Sequence, residues 1–338
     1  MKKIPVEQAV GQELGHDIVR IVPGQKKYRA FKRGHIIQAD DIALLKSIGR
    51  EHVFIWEPEA GVVHEDDAAL RLARAAGGAG LEPTEVAMGR VNLKAAHDGW
   101  LKVDVPRLYR LNTLDKIVFS TLHNDRCVAK GQKVAGTRVV PLAVEEALLA
   151  QAEEICAPGP LVWVKPYKPL RAAAVITGRE VKSGAIRDGF GPVLREKMDY
   201  YGAVWLGQSI VTDDAGLIAE EIKRYYGDGA ELIMVTGGMS VDADDATPEG
   251  IRRSQAREVF YGVPVLPGSQ FMLSYLGEVP VIGIPGGALF SKVTTLDLLL
   301  PRIFAGESID RADVVALGHG GLCEECRECR FPACAFGK

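Results

Sequence analysis

Apolar positions change their rhythm near residue 170. Downstream, short runs of aliphatic and β-branched residues read as strands at 171–177, 203–211, 231–236, 261–265 and 279–284. Between them, amphipathic stretches at 191–201 and 215–226, a segment opening at Thr247 and a stretch at 288–304 read as helices. Such alternation predicts a mainly parallel sheet covered on both faces, and right-handed crossovers put the loops after the strands on one edge. Upstream the elements are shorter. Residues 17–22 alternate weakly, 34–37 read as a hairpin edge, and Ile42, Leu45 and Ile48 give 39–48 a helical spacing. A helix over 65–76 stops at Gly77-Gly78, and 84–141 reads as β structure broken by turns at Asp98-Gly99, Asn124-Asp125 and Lys130-Gly131. Asp98-Gly99 has the signature of a two-residue hairpin. Residues 144–156 are helical, and Ala157-Pro158-Gly159-Pro160 reads as a linker.

This pattern gives an α/β fold class, a three-layer domain preceded by smaller mixed and β domains. The boundaries expected are an α+β segment at 1–57, a β-rich domain with the Asp-Gly hairpin at 58–156, a linker at 157–169, an α/β domain at 170–308 and a cysteine-rich tail at 309–338. Composition narrows the function. The chain is 47% hydrophobic and 25% charged, ordinary for a globular protein, and a net charge of -3 gives no basic field for nucleic acid. No apolar run approaches membrane length, and the two lysines at the start have no apolar segment behind them, so a cytoplasmic location is expected.

The richest chemistry lies between Ala230 and Arg252. A buried strand runs into Gly237-Gly238, then an acidic loop with Asp242, Asp244 and Asp245, then a helix opening at Thr247-Pro248-Glu249. Thr247 suits an N-cap, Pro248 has no amide to leave orphaned at the first turn, and Glu249 complements the dipole. Paired glycines let main-chain amides close on an anion without a Cβ in the way. Carboxylates beyond them suit Mg²⁺, which takes few protein ligands and completes its shell with phosphate oxygens. A plain glycine turn ahead of a solvated acidic loop gives the same pattern. Glu180, Asp213 and Asp245 each follow a strand, so they are expected to gather at the glycine turn. Lys182, Ser183 and Arg187 stand where they could reach a phosphate, whereas Arg252, Arg253 and Arg257 read as a solvated face. Neither GxGxxG nor GxSxG occurs where a dinucleotide fold or an α/β hydrolase needs it.

Six cysteines, four of them in Cys323-x2-Cys326-x2-Cys329-x4-Cys334, fit a metal clip better than a disulfide framework. Zinc or an iron–sulfur centre is the expectation for this tail, with a flexible reduced tail as the alternative. The spacing approaches the bacterial ferredoxin run but has one residue more before the last cysteine, and Ala335 where that run has proline.

TGGMSVDADDATPEGIR resembles the molybdopterin-binding motif of MoeA-type molybdotransferases, MogA-type adenylyltransferases and gephyrin. Thr177-Gly178-Arg179-Glu180 is similar to the TGDE of MoeA, Val211-Thr212-Asp213-Asp214 to its strand-end aspartates, and Ala95 to Trp100 to its SAMDGY loop. The resemblance implies that molybdopterin binds with its phosphate end at the glycine turn, touching Thr177, Gly178, Thr236, Gly237, Gly238, Ser240, Thr247, Pro285 and Gly286. It implies molybdate insertion as an adenylylated intermediate loses AMP, with Asp98, Glu180, Asp213 and Asp245 in catalysis and Asp213 and Asp245 on Mg²⁺. In the family the loop equivalent to Asp98 comes from a partner subunit, so a homodimer is expected. Pro285-Gly286-Gly287-Ala288 departs from the PGNP of MoeA, Arg179 replaces an acid, and the cysteine tail stands where the family has a β-barrel domain. The leading expectation is an enzyme of molybdenum cofactor biosynthesis acting on molybdopterin and molybdate. The alternative is a non-catalytic carrier or sensor of the cofactor that serves a molybdoenzyme.

Overall fold

The computed structural model describes residues 1–22, 24, 28–239 and 245–337. The chain divides into two compact units. Residues 1–97, 101–124 and 128–164 form the first; residues 98–100, 125–127 and those from 165 onward form the second.

In the first unit, Lys2–Pro5 pairs antiparallel with His52–Ile55, and helix Asp41–Ser47 buries Leu45 in a core with Val6, Leu14, Ile18 and Val53. Residues 34–37 do not form a strand; the hairpin is made by Ile18–Arg20 and Tyr28–Phe31. Helix Glu65–Ala76 packs on a four-stranded sheet of Leu81–Pro83, Arg90–Ala95, Lys133–Val139 and Ile117–Thr121. Its Ala68, Leu72 and Ala76 recur every fourth residue and are fully covered. The Asp98-Gly99 turn closes no hairpin. Arg90–Ala95 pairs with the strands just named, whereas Gly99–Val103 belongs to a different, three-stranded sheet. A two-residue turn sets a local reversal, and the pairing of the flanking strands decides whether it becomes a ladder.

The second unit carries a six-stranded sheet. Its strands are β1 (Arg171–Thr177), β2 (Val204–Val211), β3 (Leu232–Thr236), β4 (Arg257–Tyr261), β5 (Met272–Leu276) and β6 (Val279–Ile284), in the order β2-β1-β3-β6-β5-β4. The first four in that order run parallel and the last two pairings are antiparallel. Helices α1 (Phe190–Tyr200), α2 (Ala215–Gly227), α3 (Thr247–Arg253) and α4 (Thr295–Phe304) cover the faces. Successive side chains of the central strands enter opposite cores. Ala172, Ala174, Leu232, Met234 and Ile282 join α1 and α4, while Ala173, Val175, Ile233, Val235 and Val281 join α2 and α3. Burial on both faces is why β1 and β3 read as unbroken apolar runs.

Two further sequence expectations need correction. The strand foreseen at 261–265 ends where it was to begin, as β4 occupies Arg257–Tyr261, and Pro264 has no amide for a ladder. The helix foreseen at 288–304 is a 3-10 turn at Gly286–Leu289 followed by α4, because the side chains of Thr294 and Asp297 form a capping box that starts a new helix. Strand β5 had no counterpart among the expected elements. Among the described residues, no helix is long and apolar enough to cross a membrane.

Candidate functional site

Register brings the sequence motifs to one sheet edge. Thr177 lies opposite Val211, Ile176 opposite Thr236, and Thr236 opposite Ile284. Gly178, Gly237 and Pro285 therefore leave neighbouring strands side by side, with the loop holding Asp213 next to them. Between β1 and β3 the strand order reverses, since β1 leads to β2 on one flank while β3 lies on the other. Open α/β sheets bind ligands in such a crevice.

Gly237 and Gly238 both take positive φ, 82° and 47°. A Cβ on Gly237 would sit 2.3 Å from the Thr177 carbonyl oxygen and 2.4 Å from its Oγ1, so the bend lies directly on the end of β1. One on Gly238 would lie 3.3 Å from Thr247 Oγ1. The Gly238 carbonyl accepts a bond from the Thr247 amide at 3.3 Å, which ties the bend to the start of α3. Gly178 has φ 144° and ψ 121°, its amide bonds the Val211 carbonyl, and the Glu180 carboxylate folds back to within 3.1 Å of where a Cβ would stand. Thr236 is fully buried and its hydroxyl has no hydrogen-bond partner among the described residues. An orphaned hydroxyl at the base of a bend is a group that a ligand can satisfy. Met239, just past the bend, is buried; a Cβ on Gly283 of β6 would lie 2.7 Å from its Sδ and Cε. Its carbonyl accepts a bond from the Tyr261 hydroxyl at 3.3 Å.

The carboxylates flank this bend. Asp213 accepts a bond from the Arg179 amide at 3.1 Å, while Asp214 caps α2 through the amides of Gly216 and Leu217. Asp245 is on the other flank. Burial first, and then the charge of Asp245, push the Tyr261 phenol above its ordinary pKa, and Tyr261 ends the outermost strand on that side. Asp98 is placed elsewhere. Burial raises the pKa of the Tyr200 phenol, as do the charges of Cys127 and Asp98. Tyr200 ends α1 close to where Val204 pairs with Arg171, at the edge opposite the glycine bend. Among the described residues no group of three or more His, Cys, Asp or Glu is arranged to hold an ion. Ser240, Asp242 and Asp244 lie outside the described residues.

Of the remaining sequence candidates, Gly286 stands in open space with nothing within 4 Å of its Cβ position, and Pro285 accepts a bond from the Ala288 amide. Ser183 is turned back onto the Glu180 carbonyl. Arg252 and Arg253 form surface ion pairs with Glu258 and Glu249, in keeping with a solvated face. Sequence reasoning did not single out Tyr261, since no local pattern ties β4 to the loop after β3.

Fold and bend together define a three-layer α/β domain with a paired-glycine bend at the strand-order switch. Residues 173–305 match the family described as "Probable molybdopterin binding domain", and a family described only as a domain of unknown function matches residues 3–57. The likeness to the molybdopterin-binding domain family is thus confined to residues 173–305, less than half of the chain. A curated relative, the molybdopterin molybdenumtransferase of Synechococcus elongatus, is 26% identical over 188 residues, 53% of this chain and 43% of that protein. The CinA-like protein of Mycolicibacterium vanbaalenii is 36% identical over 90 residues, 26% of this chain and 21% of that protein. The chain thus spans less than half the length of these relatives. Among solved structures, the molybdopterin biosynthesis enzyme MoaB of Thermus thermophilus is 22% identical, with 39% of this chain and 91% of that chain covered and a TM-score of 0.34.

Proposed function

We propose that the chain acts in molybdenum cofactor biosynthesis, binding molybdopterin with its phosphate end at Gly237-Gly238 and promoting molybdate insertion into the adenylylated form. The observation that carries this reading is the cradle itself. Two positive-φ glycines lie on Thr177, and the Thr236 hydroxyl at the strand end before them is buried with no partner among the described residues. Amides of such a bend favour an anion, and Pro285 and Gly286 leave the adjacent strand with room above them for a pterin.

Mg²⁺ needs only one or two carboxylates when phosphates complete its shell, so Asp213 and Asp245, one on each flank, suit it without forming a cage. Bound there, the cation would neutralise charge on the oxygens of the phosphoanhydride being cleaved. Glu180 would complete this acidic rim on the β1 side. Asp98 reaches the site only from a second copy of the chain, because within one chain it stands at the opposite sheet edge; the active species in this reading is a homodimer. Incubation with adenylylated molybdopterin, Mg²⁺ and molybdate should release AMP, and Asp245→Asn should abolish the release. Unchanged AMP release by that variant would overturn the site assignment.

A non-catalytic carrier that delivers cofactor to a molybdoenzyme is the second reading. It is favoured by Gly287 and Ala288, which offer no side-chain amide beside the bend, and by the dispersed carboxylates. Cofactor retained through gel filtration without any AMP release would establish it. In either reading a metal on the tail cysteines is a separate element, whether zinc or iron–sulfur.

A further inference from the structure

The tail after helix Arg311–Ala316 has neither helix nor strand from Cys323 to Gly337, yet it is firmly placed. Leu266 donates to the Gly321 carbonyl at 2.8 Å and accepts from the Cys323 amide at 2.8 Å. Gly321 is required there, since a Cβ would lie 2.4 Å from the Leu317 carbonyl oxygen and 2.5 Å from that of Pro264. At the far end Phe336 is buried in the core beside α4, and the Gly337 amide bonds the Gly320 carbonyl at 2.9 Å. The segment is therefore a closed loop, pinned at both ends.

All four of its cysteines line one cavity of about 550 Å³. They are reduced, with Cys326 and Cys329 exposed and Cys323 and Cys334 half-buried. A single zinc ion would draw its thiolates to about 3.8 Å from one another, given Zn–S bonds of about 2.3 Å in a tetrahedron. No group of three or more such ligands among the described residues is gathered in that way. The four thiols share the lining of that cavity.

We infer that Cys323, Cys326, Cys329 and Cys334 hold a polynuclear iron–sulfur cluster. Such a cluster interposes its own iron and sulfide between the thiolates, which the cavity accommodates and a lone ion does not require. The leading C-x2-C-x2-C is the spacing of bacterial cluster loops, and in two-cluster ferredoxins the fourth cysteine of the run serves the other cluster. Its spacing is thus set by the fold, and here the Phe336 anchor brings Cys334 to the cavity. Beside the thiols the cavity is lined by Phe331 and the buried Phe336, and its Lys292 and Arg330 stand against Glu324 and Glu325. This site stands independently of the pterin reading.

The test is chemical analysis of the full-length protein purified without air from iron-supplied cells. About four iron and four acid-labile sulfide per chain are expected, with broad thiolate-to-iron absorption in the visible. Cys326→Ser and Cys329→Ser should each lose most of the iron and sulfide, and Cys156→Ala, in the first unit, should keep them. Zinc without labile sulfide in the wild-type protein would overturn the inference. So would a wild-type protein carrying neither metal, or equal iron in wild type and Cys326→Ser.

Discussion

The hydroxyl of Thr177, at the end of β1, lies 3.4 Å from that of Thr247, the first residue of α3. Both residues are buried, and Gly238 would press a Cβ against each hydroxyl. The pair closes the floor under the glycine bend, so the bend's shape depends on two elements remote in sequence.

Gly237→Ala should therefore damage both stability and binding. The added methyl meets main chain at 2.3 Å in a conformation that alanine disfavours, at a cost of about 1–3 kcal/mol. Thermal unfolding should shift down, and molybdopterin affinity should fall at least about tenfold, or about 1.4 kcal/mol. Gly286→Ala, with open space around it, should leave the unfolding temperature unchanged.

Asp98 and Asp245 should complement one another between copies. If the site joins the two from different chains, Asp98→Ala and Asp245→Asn are each inactive alone. Mixed and re-associated, half the dimers hold one intact site, and about a quarter of wild-type AMP release returns. Absence of recovery in verified mixed dimers would place both residues on one chain's site, or Asp98 on none.

Glu65 should make stability depend on pH. It is 4% exposed, and burial pushes its carboxyl up to about 7, helped by the charge of Asp66 and opposed by Arg138 at 3.5 Å. A raised folded-state pKa means that the native chain holds the proton more tightly. Its contribution is complete below the unfolded value near 4.5 and is lost as pH rises through about 7. The change is at most about 3 kcal/mol, and Glu65→Gln should flatten the urea midpoint between pH 5 and pH 8, roughly.

Phe336→Ala should release the tail. Deleting a buried ring costs up to about 3–5 kcal/mol, but a terminal segment can detach before the domain unfolds. Limited proteolysis should then cut between Leu322 and Phe336 while the core of the second unit stays intact; a protected tail would argue against the anchor.

Much of the second unit was legible because its central strands are buried on both faces. The expected bounds at 171–177 and 279–284 are those observed. The antiparallel flank was not. β4 and β5 lie towards the edge, where alternation is weak, although Gly277-Glu278 between β5 and β6 is a two-residue turn that flags the pair. The loops after the strands were legible as places for candidate residues, but the mutual placement of those residues was not. Spacing along the chain puts Asp213 and Asp245 in equivalent loops, and only the lateral order of the strands shows that β1 and β3 stand between them. Asp98-Gly99 teaches the same point, as its turn was visible while its pairing was not.

The notch at Gly283 gives the binding edge a hidden tenant. The thioether of Met239 lodges there, so the exit of the bend is fastened from within the sheet and not from the solvent side. A single methyl added two residues before Pro285 would push aside the flexible end of that side chain, next to the bend's exit. Oxidation of the same sulfur would put a polar oxygen into that apolar notch, a lesion beside the bend and not on it.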